Sequence, residues 1–420
     1  MRQSSMKCVK SRSNSCSPII GGWGAVLFLF FALLSPTHAD DAGQFFLHDG
    51  DTVVFYGDSI TEQQLYPRDI ETYVLTRFPA WHVRFIDSGW AGDRVTGGEG
   101  GTIDTRIQRD ILPYKPTVVT ILLGMNDAAY THFNQSAYDA YVQGLTQTVD
   151  TLRQLLPGVR LALMTPTFYD EHAPGSRHFH GYNTVLLKYG DFVRTLGAER
   201  GIPVIDLNAP LQAATAAGRK RDLRFVLVPD GVHPNEAGHL VLASAILQAW
   251  NAPGALASVA LSPARPVTVT TPLPWPLPNA SYPAYDVSPL PGALNAFHLK
   301  ATGLSDRQYT LFVDNKAVGT FPRLLLESGM DISLTTALPR NSQSSQVLGL
   351  VQGRLDTWRY LWKGGPRAIA RRDDAPTASE TVALAAIDHW LDSQREQDRL
   401  AAQPQAHTFT LRPAAALPGD

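Results

Sequence analysis

The chain has 420 residues, 44% of them hydrophobic and 18% charged, with a formal net charge of -2. That is enough apolar material for a large core, in two domains or in one with an appendage. All four basic residues of positions 1–39 (Arg2, Lys7, Lys10, Arg12) stand there without an acid, so the remainder holds 32 basic against 38 acidic residues; such a balance argues against nucleic acid and against an anionic membrane surface as partners.

The N-terminus reads as an export leader. A basic, Ser-rich stretch runs into the apolar Gly21–Leu34 and then into Thr37-His38-Ala39. The apolar run is short for a membrane span and right for a signal sequence, which predicts cleavage after Ala39 and a secreted or periplasmic protein. An uncleaved anchor is the alternative. Both cysteines, Cys8 and Cys16, lie in this leader. The mature chain then has no thiol for a nucleophile, a disulfide or a metal site.

From about 51 to 250, strand-like and helix-like stretches alternate. Thr52–Gly57, Val83–Gly89, Thr117–Gly124, Arg160–Pro166 and Ile202–Leu207 are short β-branched or aliphatic runs closed by Gly, Pro or polar turns. Continuous apolar runs of this kind suit parallel strands buried on both faces. Tyr138–Leu156 and Glu236–Trp250 carry apolar residues near helical spacing. The pattern predicts a three-layer α/β/α sandwich with a five-stranded parallel sheet over 40–254. Active residues belong at the carboxyl ends of such strands. Residues 255–296 follow as a strap: nine prolines fall between Ser262 and Gly292, together with Trp275, Tyr282 and Tyr285. So many aromatics suggest an ordered, extended segment. Residues 297–420 form a small α+β accessory region, with a hairpin turn at Asp314-Asn315-Lys316, two helix-like stretches (Ser344–Trp362 and Ala378–Ala402) and a last strand at His407–Pro413.

Four motifs fall at strand or loop ends. Ser59, in Gly57-Asp58-Ser59, follows the first strand and opens a helix. It is a nucleophile candidate, although a serine there is more often a helix cap when read alone. Gly92 follows the second strand, where a backbone N–H can approach a substrate oxygen, or where there is a plain turn. Asn126, in Leu123–Asp127, follows the third; its amide can point at an oxyanion or form an Asx-turn. Asp230 and His233 stand three apart in the Val228–Pro234 loop, able to act as orienter and base, or to make an exposed turn. Together they supply nucleophile, base, orienter and oxyanion donors at one sheet edge, in the chain order Ser, Asp, His.

This set resembles the GDSL-type esterases and lipases of the SGNH hydrolase superfamily. Gly57-Asp58-Ser59, Gly92, Gly124–Asp127 and Asp230–Pro234 meet its four blocks, and the likeness covers about 50–250. One departure is Asp87, where many members carry Asn. The resemblance implies a flavodoxin-like SGNH fold and ester hydrolysis through an acyl-enzyme on Ser59. His233 would act as base and Asp230 as its orienter. The Ser59 N–H, the Gly92 N–H and the Asn126 amide would form the oxyanion hole, with no metal or organic cofactor. It implies a small-molecule or glycan ester as substrate. Short acyl groups on a glycan are the first reading, a lysophospholipase or lipase the second, and a non-catalytic binding module on the same scaffold the third. The polar stretch Tyr169–Asn183 holds Asp170, Glu171, His172, His178 and His180, but its spacing fits no standard metal pattern. It is expected to lie over the pocket mouth, with His178 and His180 contacting substrate. Acyl chain, alcohol and oligomeric state stay open.

Overall fold

A computed structural model describes residues 44–177, 179–335, 337–363 and 377–414. The leader expected at 1–39 lies outside them. Among the described residues no helix is long and apolar enough to cross a membrane.

The first half alternates strands and helices in chain order: β1 (Thr52–Gly57), α1 (Ser59–Glu62), α2 (Leu65–Arg77), β2 (Arg84–Gly89), α3 (Ile103–Asp110), β3 (Val118–Leu122), α4 (Gln135–Leu155), β4 (Arg160–Met164), α5 (Tyr182–Arg200), β5 (Val204–Ile205), α6 (Asn208–Arg219) and α7 (Glu236–Ala249). The five strands form one parallel sheet in the order β2-β1-β3-β4-β5. All five residues of β3 are buried, as are Val53 to Gly57 of β1. That is why these strands read as unbroken apolar runs and not as alternating ones. The chain steps from β1 to β2 in one direction and from β3 to β5 in the other. Right-handed crossovers therefore put α2 on one face and α4 and α5 on the opposite face. The direction change at β1 and β3 opens the crevice in which such sheets bind ligands.

The expected α/β sandwich is thus present, with a further part built on it. That part comprises β6 (Ala257–Leu261), β7 (Val267–Thr270), α8 (Pro283–Val287), α9 (Leu290–Ala293), β8 (Phe297–Ala301), β9 (Gln308–Val313), β10 (Lys316–Pro322), α10 (Arg323–Ser328), β11 (Met330–Asp331), α11 (Pro339–Lys363), α12 (Ala378–Ala401) and β12 (Ala406–Pro413). Two small sheets, β10-β9-β12-β7 and β11-β8-β6, enclose a second apolar cluster around Phe297, Leu299, Leu311 and Phe409. The β9–β10 turn is made by Asp314 and Asn315, both at positive φ (50° and 65°), as a two-residue hairpin requires.

Helices α11 and α12 do not stand apart from the first half. Trp275, Trp358, Trp362 and Leu391 are buried in the same apolar cluster as the central sheet. The buried Arg354 of α11 lies 2.6 Å from Glu71 of α2 and 2.8 Å from Asp398 of α12. The Trp275 indole donates to the Asp69 carbonyl at 2.8 Å. A guanidinium buried between two carboxylates holds position well, because losing either partner leaves an uncompensated charge out of water.

Candidate active site

At the carboxyl end of β1 the chain turns sharply into α1. Asp58 is the helix cap: its Oδ1 accepts the Ile60 N–H at 3.0 Å. Ser59 is the first residue of the helix, so its hydroxyl is not needed to satisfy the helix end. The turn packs tightly. A Cβ on Gly89, at the end of β2, would lie 2.1 Å from the Glu62 backbone nitrogen. Only a glycine there lets α1 sit directly against the neighbouring strand.

Ser59 Oγ lies 2.8 Å from His233 Nε2, and His233 Nδ1 lies 2.6 Å from Asp230 Oδ2. An ionised carboxylate only accepts, so Nδ1 carries the proton in this pair and Nε2 is free to accept from the serine hydroxyl. Asp230 Oδ1 also accepts the backbone N–H groups of Val232 (2.9 Å) and His233 (2.7 Å). Burial alone would raise the Asp230 pKa. The hydrogen bonds from the His233 ring and from these backbone groups outweigh it and hold the carboxyl below its ordinary value. The loop is braced from outside. Gly231 O accepts from Asp170 N at 3.0 Å, and Pro229 O accepts from Gly175 N at 2.9 Å. The Asp170 carboxylate is clamped by Arg219 at 2.9 and 2.6 Å. At the far end Asn235 caps α7, accepting the Gly238 N–H at 3.0 Å.

The other two motifs converge beside α1. Gly92 has φ +75°, and no atom lies within 4 Å of where its Cβ would be. Its constraint is the left-handed backbone, not crowding. The preceding Ala91 N–H donates to Glu62 Oε2 at 2.5 Å. Asn126 Nδ2 donates to the Asp93 carbonyl at 3.1 Å and lies 3.5 Å from Asp58 Oδ2. Its neighbour Asp127 accepts the Val95 N–H at 2.9 Å. The loop after β3 thus grips the loop after β2 at Asp93 and at Val95.

Two features here have no counterpart in the sequence reading. Tyr130 donates its hydroxyl to Asn126 Oδ1 at 2.8 Å, which fixes which way the amide faces. Ala129 and Tyr130 both hold positive φ (57° and 55°), a strain that persists only where the surroundings impose it. Tyr130 stacks on Tyr182 at 5.0 Å and meets Phe179 at 5.6 Å, so the loop after β4 and the first residue of α5 supply that support. The second feature is charge. Burial raises Asp58, Asp87 and Asp127 to about 7 each, and raises Asp93 despite Arg106 at 2.9 Å. Asp58, Asp87 and Asp127, around α1 and the loop after β3, therefore hold their protons more tightly than exposed carboxyls do.

Ser59, Asp230 and His233 form one hydrogen-bonded line, and the Asn126 amide reaches the residue next to the serine. His178 lies outside the described residues. The His180 side chain is 77% exposed, with Nδ1 3.6 Å from Glu171 Oε2.

Comparison with known proteins identifies the same segment. Residues 55–241 match the GDSL-like lipase/acylhydrolase family. An acetylxylan esterase of Geobacillus stearothermophilus is 26% identical over an alignment 222 residues long, which covers 47% of this chain and 93% of that protein. Among solved structures, a gut microbial diltiazem-metabolizing enzyme superposes with a TM-score of 0.76 at 21% identity, covering 89% of this chain and 99% of its own. The crystal structure of the Geobacillus stearothermophilus acetylxylan esterase covers 49% of this chain and 96% of its own, with a TM-score of 0.38 at 23% identity. The 0.76 superposition shows that the fold described above, C-terminal part included, recurs in a solved protein.

Proposed function

We propose, from the membership of residues 55–241 in the GDSL-like lipase/acylhydrolase family, that this ester-hydrolysing enzyme works through an acyl-enzyme on Ser59 and removes short acyl groups from a glycan. The observation that carries the mechanism is the line Ser59 Oγ–His233 Nε2–Asp230 at 2.8 and 2.6 Å. As Oγ attacks the ester carbonyl, Nε2 takes its proton. Asp230 holds the imidazole in the needed tautomer and stabilises the imidazolium. Negative charge then develops on the carbonyl oxygen. The Ser59 and Gly92 N–H groups and the Asn126 amide receive it, each donor being worth about 3 kcal/mol in serine hydrolases. Tyr130 keeps the amide nitrogen, and not its oxygen, on that side. Collapse expels the alcohol with the proton from His233, and a water attacks the acyl-enzyme with His233 again as base.

The short-acyl, glycan-directed assignment draws on the acetylxylan esterase relative. An export leader at 1–39, read from its basic start and short apolar run, agrees with an extracellular polymer as substrate. The test is hydrolysis of p-nitrophenyl acetate and p-nitrophenyl decanoate by the protein and by Ser59→Ala. Serine-dependent turnover of acetate with little on decanoate is the expected result. A preference for decanoate would move the substrate to lipids. Equal rates for the two proteins would remove Ser59 from the chemistry.

A further inference from the structure

We propose that Arg359, on the C-terminal helix α11, is a positioning residue for the ester-cleaving centre. This rests on the reading of Ser59 as nucleophile and of the loop at Gly92 as an oxyanion donor. The Arg359 guanidinium donates through Nη2 to the Gln63 carbonyl at 2.6 Å and to the Glu62 carbonyl at 3.3 Å. These carbonyls close α1, the single turn that begins with Ser59. So short a helix cannot satisfy its last carbonyls from within, and a cation placed there supplies them with a partner, beside the His239 contact to the Gln63 side chain at 2.9 Å. The effect reaches the other side of the site through Glu62, whose carboxylate holds the Ala91 N–H next to Gly92. One position earlier on α11, the Trp358 indole donates to the Asp87 carbonyl of β2 at 3.1 Å, on the strand that leads into the same loop. A single turn of α11 therefore touches both the segment that presents the nucleophile and the segment that presents Gly92.

The helix is well anchored for this. Its Gln352 accepts from Arg68 at 3.0 Å, Arg68 in turn pairs with Glu236 at the start of α7, and Arg354 is locked between Glu71 and Asp398. Arg359 itself is exposed, so removing it leaves the core intact. What it removes is one of the restraints on α1, and a displacement of about 1 Å in a reacting group can cost on the order of a hundredfold in rate. Some 300 residues separate Arg359 from Ser59 in sequence. The C-terminal part is on this view a component of the ester-cleaving centre and not an attached module.

The experiment compares the full chain with Arg359→Ala, Arg359→Lys and Ser59→Ala on p-nitrophenyl acetate, with melting temperatures for each. Arg359→Ala is expected to lower kcat about tenfold, with KM within about twofold and melting unchanged. Arg359→Lys should recover part of the rate. Millimolar guanidinium, far below denaturing levels, should restore part of the Arg359→Ala rate and none of the Ser59→Ala rate. A kcat equal to wild type, a rise in KM alone, or a loss that merely follows a fall in melting temperature would overturn the role of Arg359. A wild-type rate no greater than that of Ser59→Ala would instead overturn the nucleophile, and this inference with it.

Discussion

Asp87→Asn isolates one buried carboxyl and turns it into a pH measurement. Asp87 sits in β2 with Oδ1 accepting the Gly89 N–H at 3.0 Å, while Oδ2 has no hydrogen-bond partner among the described residues. Burial raises its pKa from 3.8 to about 7, against the pull of the Gly89 N–H and of Arg359. The folded state thus holds the proton more tightly than the unfolded chain does. The stability this group contributes is full below about pH 3.8 and is lost as pH rises through about 7. Over the whole interval the loss is about 4 kcal/mol, of which about 2 to 3 kcal/mol falls between pH 5 and pH 8. Asparagine has the same shape, keeps the acceptor for Gly89 and does not titrate. The stability gap between Asp87→Asn and wild type, read from urea unfolding by tryptophan fluorescence, should therefore move in favour of the variant by about 2 to 3 kcal/mol from pH 5 to pH 8. Esterase activity should be unchanged. An equal gap at both pH values would refute the claim that Asp87 is held neutral. The same reasoning explains why Asp is tolerated where many of these hydrolases have Asn: a protonated aspartic acid is nearly isosteric with the amide.

Two further predictions concern the residues around the site. Tyr130→Phe removes the donor to Asn126 Oδ1 and frees the amide to turn, so kcat should fall about tenfold with KM little changed; an unaltered kcat would mean that the amide is oriented by other contacts. Arg354→Met leaves Glu71 and Asp398 facing each other without their cation and should cost about 3–5 kcal/mol in unfolding experiments, most of it recovered when both acids are also replaced by their amides.

Much of the central sheet was legible because burial on both faces forces continuous apolar runs, and β1 through β4 fall inside the runs read from the sequence. The fifth run, Ile202–Leu207, shrinks to Val204–Ile205, since composition marks where a strand can form and not how much of it finds a partner. The four motifs were legible for a chemical reason: the residue types proposed as nucleophile, base and oxyanion donors are distinctive at strand ends. Their supports were not. Tyr130 acts through its bond to Asn126 and Glu62 through its bond to the Ala91 N–H, and nothing in their local sequence sets them apart from ordinary surface residues. The tie between β12 and β7, where Thr408 meets Thr268, joins segments about 140 residues apart and leaves no spacing signal. The same holds for Arg359. Ser59 is the instructive case. A serine opening a helix reads as a cap by frequency, yet the cap is its neighbour.

That neighbour has a practical consequence. Because Asp58 caps the start of the helix, the Ser59 hydroxyl can be deleted without unravelling the turn that carries it. Ser59→Ala should keep its surroundings in place, a binding site without its blade. Such a protein can serve as bait: incubated with acylated polysaccharide fragments, it would retain the preferred ester uncut, and mass spectrometry of what it holds would read the acyl group and the sugar directly.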